Sequence, residues 1–311
     1  MFNFPDKMLK VFKDDQLQAS FEENGYVIVP FYQADDIQIL ERCYDKLHPN
    51  NELGFFPSTF SNDKNYRSIA DQEIRRIGQK YIDEYCENIR VLCGSFIVKN
   101  PGPESGMCVH QDMSLVDESR YTGINIWVPL VDLTVQNGAL FVLPKSHRLF
   151  PTYRSSSIPE FFASIMDDVI DFMIPIIIPA GYAVFFDQSI IHYSPPNYSD
   201  KRRIVTNTYF THKDAEFRTY YWDKSSPDKV EAFEQDKDFM INFEQFGQNI
   251  HQRPAVGKSL GYVDYNFPII NRKFLEQIYS RTDAKALIKK ATPPSSFKQK
   301  YFKKILKVFS S

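Results

Sequence analysis

The chain has 311 residues, 43% of them hydrophobic, with 27 Phe and 18 Tyr; this is enough apolar material for one sizeable core, and barrels of this length commonly form a single unit. A formal net charge of −2 gives no electrostatic case for nucleic acid, and no stretch approaches the roughly 18 apolar residues that span a bilayer. The four cysteines (Cys43, Cys86, Cys93, Cys108) form no CxxC pair, and the N-terminal residues lack the apolar core of a signal peptide, so reduced, mostly buried thiols in a cytoplasmic protein are expected.

In chain order, Tyr26 to Phe31 reads as a short strand. A helix follows, capped by Asp35 or Asp36, with Ile37, Leu40, Cys43, Tyr44 and Leu47 recurring at helical spacing. Residues 70–93 predict a second helix, with Ile74, Ile77, Tyr81, Tyr85 and Ile89 near one face. From Gly94 the pattern turns to short strands between turn signals: 94–99, a segment around 107–110, 123–133, 139–144, 175–179, 182–187, 190–194 and 203–211. Asn137-Gly138 predicts a hairpin between 123–133 and 139–144, and Ala180-Gly181 a second between 175–179 and 182–187. About eight strands in this order suit a closed or sandwiched β-barrel, which leaves few edges exposed.

Residues 145–172 are an insertion, partly helical, and 213–283 an irregular aromatic cover on one rim. The expected organisation is one domain over 1–283, with its barrel at about 94–211, and a basic segment over 284–311 after which the first 283 residues keep a charge of about −10. Thr292 to Ser296 reads as a hinge. Residues 297–309 predict an amphipathic helix (Phe297, Tyr301, Ile305 and Leu306 on one side, lysines around them) suited to docking on the acidic body or to contact with anionic lipid.

His110-Gln111-Asp112 sets two metal-ligand side chains at i and i+2, which on a strand face the same side. Two imidazoles and one carboxylate leave coordination positions open, as iron(II) needs for a chelating cosubstrate and O2. An HxD tripeptide alone is common, and a lone histidine in an apolar strand is more often core. Of six histidines, His192 is the one inside a clear late strand; His212 is a weaker rival as third ligand. Arg203 follows His192 by eleven residues, where a buried guanidinium can pair bidentately with the distal carboxylate of 2-oxoglutarate, and Ser194 can hydrogen-bond the same group. Arg202 is the rival anchor, pointing to the opposite face of the strand.

With FEENGYVIVPF near the start, HQD at 110–112, NGALFVLPKSH at 137–147 and H-x-S-x-x-N-x-S-x-x-x-R at 192–203, residues 18–211 resemble the phytanoyl-CoA dioxygenase family of Fe(II)/2-oxoglutarate oxygenases. The resemblance implies a mainly β fold with flanking helices, a double-stranded β-helix of the jelly-roll or cupin-like kind. It implies His110, Asp112 and His192 as ligands of Fe(II), Arg203 and Ser194 as anchors of 2-oxoglutarate, and Trp127 and Asn125 beside that cosubstrate. It also implies O2 as co-reactant and oxidation of a small-molecule C–H bond, with an intact Asp112 arguing for hydroxylation over halogenation. His147, in PKSHR, is expected to be structural. The competing reading is a cupin-like metal-binding barrel, an isomerase or binding protein, which keeps the three ligands and gives Arg203 and Ser194 no role.

Overall fold

The computed structural model describes residues 9–47, 54–150, 152–242 and 251–291. α1 (Asp15–Asn24) starts where the Asp14 side chain accepts from the Leu17 N–H and stops at Gly25, whose left-handed φ of +80° lets its N–H return to the Phe21 carbonyl. β1 (Tyr26–Pro30) and α2 (Ala34–Leu47) follow, then β2 (Phe55–Pro57) and α3 (Lys64–Tyr85). Asp35 and Asp36 lie inside the first turn of α2 instead of capping it; Asp36 reaches back to the Gln33 N–H at 3.4 Å. α3 begins earlier than the 70–93 pattern predicts because Asp63 caps Asn65 and Tyr66, and it ends earlier because Ile89 and the residues after it join a sheet.

Eight strands then build the barrel: β3 (Ile89–Lys99), β4 (Met107–His110), β5 (Gly123–Pro129), β6 (Phe141–Val142), β7 (Ile174–Pro175), β8 (Tyr182–Asp187), β9 (His192–Ser194) and β10 (Arg203–His212). A six-stranded sheet runs β1-β8-β5-β10-β3-β2 and a four-stranded sheet β4-β9-β6-β7, all pairs antiparallel. The chain alternates between the two sheets along β3, β4, β5, β6, and again along β7, β8, β9, β10. This is a double-stranded β-helix.

That alternation corrects both expected hairpins. β5 pairs with β8 and β10, not β6, and β7 pairs with β6, not β8. Asn137-Gly138 closes a single 3-10 turn under a Thr134 capping box, and Ile176 and Ile178 bond to Leu140 and Leu133. Local turn chemistry was present, but burial of both faces of each strand selected distant partners.

The large sheet separates two interiors. Ile204 and Phe210 of β10, with Phe96, Ile124, Ile126 and Phe185, pack on Phe21, Leu40, Ile74 and Ile82 of the helices. The alternate residues Asn125, Trp127, Arg203, Asn207 and Tyr209 face a cavity between the sheets.

The insertion contains one helical turn, α4 (Met166–Val169). Residues 213–283, expected to be irregular, contain a three-stranded sheet of β11 (Arg218–Tyr221), β12 (Lys229–Glu234) and β13 (Lys258–Asp264), with α5 (Phe239–Asn242) and α6 (Arg272–Ile278). Its strands are short, and a register shift at Ala232/Phe233 blurs the period-two signal. α7 (Ala284–Ala291) buries Ala284 against the insertion, and Lys285 Nζ lies 2.9 Å from Asp171. The hinge at 292–296 and the helix expected over 297–309 lie outside the described residues. Among the described residues, no helix is long and apolar enough to cross a membrane.

Gly123 opens β5 where Tyr209 and Gln188 cross; an added Cβ there would stand 2.0 Å from Tyr209 Oη and 2.4 Å from Gln188 Oε1. Gly123→Ala should therefore destabilise the fold by about 1–3 kcal/mol through overpacking, read as a lower urea midpoint at unchanged slope.

Candidate metal centre and adjoining cavity

The antiparallel register of β4 and β9 sets His110 opposite His192, with ring centroids 4.1 Å apart. β4 ends at His110, so Asp112 is supplied by the chain just beyond the strand, where its N–H is bonded to the Gln188 carbonyl at 2.9 Å. Asp112 Oδ1 lies 3.7 Å from His110 Nε2 and 3.8 Å from His192 Nε2. One ligand atom from each residue falls within 4.8 Å of the others, a spacing that one divalent ion can bridge.

Hydrogen bonds behind the three residues orient them. His110 Nδ1 donates to the Cys108 carbonyl at 2.8 Å and His192 Nδ1 to the Ile190 carbonyl at 3.0 Å. A carbonyl only accepts, so each Nδ1 carries the proton and each Nε2 turns a lone pair toward the centre. Asp112 Oδ2 accepts from Asn125 Nδ2 at 2.8 Å, which leaves Oδ1 facing the imidazoles. Asn125 Oδ1 in turn accepts from Asn207 Nδ2 at 2.8 Å.

The insertion grips this loop from outside. Arg154 Nε donates to the Asp112 carbonyl at 2.7 Å, and the Gln111 N–H donates to Glu160 Oε1 at 3.1 Å. Arg154 is held by Glu118 through Nη1 at 2.6 Å, and Gln188 also donates to Glu118. Burial pushes the Glu160 carboxyl up to about 7. Sequence reasoning missed Arg154, Glu118 and Glu160; they are single charged residues in irregular stretches, and no local pattern marks such residues. Among the described residues, none of those lining the cavity comes from the 145–172 insertion.

The cavity, about 230 Å³, opens from the three ligand candidates. Ser194, Trp127 and Asn125 line it, as does Arg203, which is 1% exposed. Arg203 Nη1 donates weakly to Gly138 O at 3.3 Å, its Nε has no partner among the described residues, and its guanidinium lies 5.3 Å from the Trp127 ring. Burial lowers it to about 9, so it stays charged at neutral pH. Lys99, its cross-strand neighbour on β3, is also buried and donates to the Ser194 and Pro195 carbonyls at 2.8 and 2.7 Å. Burial, and then the charge of Arg203, pull Lys99 well below the usual lysine range. A buried guanidinium with no facing carboxylate among the described residues is an arrangement suited to an anion.

The rivals sit elsewhere. Arg202 pairs with Asp45 and lies over Tyr44 on the outer face. His212 stacks on Tyr121, 3.6 Å from Asp214, and His147 Nε2 donates to the Glu22 carbonyl at 3.1 Å. Of the four thiols, Cys86 and Cys93 are buried, whereas Cys108 is exposed.

A double-stranded β-helix with two histidines and a carboxylate converging beside its interior cavity defines a barrel with a candidate metal centre. The phytanoyl-CoA dioxygenase family model matches residues 21–205, and the chain belongs to that family. Over 128 residues it is 30% identical to a phytanoyl-CoA dioxygenase domain-containing protein 1 homolog of Dictyostelium discoideum, covering 38% of this chain and 45% of that protein. Over 123 residues it is 28% identical to the phytanoyl-CoA dioxygenase domain-containing protein 1 of Danio rerio, covering 37% and 42%. The matched stretch thus spans less than half the length of either relative. Among solved structures it is similar to EvdO2 of Micromonospora carbonacea var. aurantiaca complexed with 2-oxoglutarate, at 23% identity and TM-score 0.45, over 66% of this chain and 94% of that one.

Replacing Asn125 by Leu frees Asp112 Oδ2 and should weaken Co(II) binding roughly 10- to 100-fold in a fluorescence-quench titration, with the fold retained. The metal-free protein should also be acid-sensitive. Burial, and then the neighbouring His192, hold His110 down at about 4. The unfolded chain binds that proton at about 6.5, so stability is full above 6.5 and falls as pH drops toward 4. Urea midpoints measured across this window should fall less steeply in His110→Gln.

Proposed function

We propose that the protein is an Fe(II)- and 2-oxoglutarate-dependent dioxygenase that hydroxylates a C–H bond of a small molecule. The observation that carries this reading is Arg203: a fully buried guanidinium, lacking a carboxylate partner among the described residues, in the wall of the same cavity that His110, Asp112 and His192 line. A cupin-like isomerase or binding barrel has no use for it.

In this reading His110 Nε2, His192 Nε2 and Asp112 Oδ1 hold the iron, and Asn125 keeps Asp112 to one oxygen, so coordination sites stay open. Arg203 pairs with the distal carboxylate of 2-oxoglutarate, with Ser194 Oγ beside it and Trp127 closing one side. Lys99 holds the Ser194 and Pro195 carbonyls beside this anchor. Iron held there would supply the oxidation, in which O2 and the 2-oxo acid would be consumed, succinate and CO2 released, and R–H converted to R–OH. The protein's own part is to fix the ligands, aim the substrate and keep water out, and the apolar walls formed by Phe55, Phe60, Met107, Met113, Leu115 and Met240 suit that task.

Arg203→Ala should raise the 2-oxoglutarate dissociation constant of the anaerobic Fe(II) protein more than tenfold, because a buried charge-assisted pair is worth on the order of 2–5 kcal/mol. Arg203→Lys should recover part of this, and Arg202→Ala should change little. The visible charge-transfer band of a chelated 2-oxo acid reports the titration. Equal constants for wild type and Arg203→Ala would refute the anchor. His110→Ala and His192→Ala should each abolish stoichiometric iron binding, measured by equilibrium dialysis.

A further inference from the structure

The hydrogen-bond chain that begins at Asp112 does not close. Asp112 Oδ2 can only accept, so Asn125 must present its NH2 to it, and Asn125 Oδ1 is left as an acceptor. Asn207 must therefore turn its own NH2 toward Asn125. The orientation of both amides is dictated by one carboxylate, and the remainder is Asn207 Oδ1: a buried acceptor, without a partner among the described residues, on a side chain that lines the cavity. Asn207 stands on β10 between Trp127 of β5 and Ser95 of β3, two hydrogen bonds away from a candidate metal ligand.

We propose that Asn207 is a substrate-binding residue whose Oδ1 accepts a hydrogen bond from a hydroxyl or amide N–H of a neutral, otherwise apolar substrate. This deepens the oxygenase reading and rests on it. Ionised 2-oxoglutarate carries only acceptors, so it leaves this oxygen to the second substrate. A carboxylate or phosphate on that substrate would meet the Asn207 oxygen with no proton to share, and an ammonium would enter a cavity that already holds buried Arg203. The remaining walls, Phe55, Phe60, Met107, Leu115 and Met240 among them, offer apolar contact. The substrate class is thus an alcohol or amide with a hydrocarbon body, its donor group placed near the bond to be oxidised. A site built around such an acceptor discriminates against analogues that lack the donor, because the acceptor is then left buried and unpaired.

The test uses the full chain loaded with Zn(II), with and without 2-oxoglutarate, and two matched fragment pairs: benzyl alcohol against benzyl methyl ether, and benzamide against N,N-dimethylbenzamide. Ligand-observed NMR titrations should show each donor binding roughly fivefold tighter than its capped partner, the scale of one neutral hydrogen bond. Asn207→Leu, measured at zinc and 2-oxoglutarate concentrations that saturate the variant, should lose that preference; Asn207→Ala serves the same purpose should the larger side chain prevent folding. Equal binding of donor and capped fragments, binding of neither, or a preference that survives in both variants overturns the proposal. Failure of wild type to bind 2-oxoglutarate would instead remove the oxygenase reading, and the fragment preference on the zinc protein is decided independently.

Discussion

The β4–β9 pairing is the contact on which the site depends. It is short, and its register slips between Met107 and His110, yet it sets His110 across from His192. A one-residue shift would turn one imidazole out of the interior. The register is held from several sides: β9 is also bonded to β6, the Asp112 N–H is fixed to Gln188, and both histidines are tied to carbonyls two residues back in the chain. The three ligand candidates thus converge through backbone constraints rather than through mutual attraction, which suits a centre whose side chains would otherwise stand close together with nothing between them.

The large sheet makes this arrangement affordable. One face is packed by helices through an apolar core, so its strands are fixed without help from the other face. That other face is then free to carry groups that weaken a core: Asn125, Asn207, Arg203 and Lys99. Burying a guanidinium and an amine side by side is costly, and the cost is only partly offset by the carbonyls that accept hydrogen bonds from Lys99. Arg203 keeps most of its donors uncommitted, which is strain a purely structural residue has no reason to carry.

Much of this was legible in the sequence. All eight barrel strands were marked by short β-rich runs between turn signals, and the separation of His110, Asp112, His192 and Arg203 along the chain carried the pattern of the site. Strand alternation set Arg202 and Arg203 on opposite faces, and the spacing of the family resemblance favoured Arg203. Pairing could not be read, because Asn137-Gly138 and Ala180-Gly181 carry the same local chemistry whether they close a hairpin or carry the chain onward to distant partners. The role of Asn125 was also out of reach: a residue expected beside the cosubstrate is bonded to Asp112, a contact 13 residues away that no spacing announces. Arg154 and Glu160 act through backbone atoms of the HQD loop, with Glu118 holding Arg154, and contacts to backbone leave no signature in the partner residue types.

The grip of the insertion on that loop divides the molecule by tolerance to change. Residues 55–60 and Met240 touch the cavity but none of the hydrogen bonds that steady Asp112, so redesign of substrate scope has room there. Residues 152–160 have the opposite character: they line none of the cavity, yet are joined through Arg154 and Glu160 to the backbone on either side of the peptide that precedes Asp112. Exchanging this segment with that of another barrel would be a change to the metal centre, made from a distance.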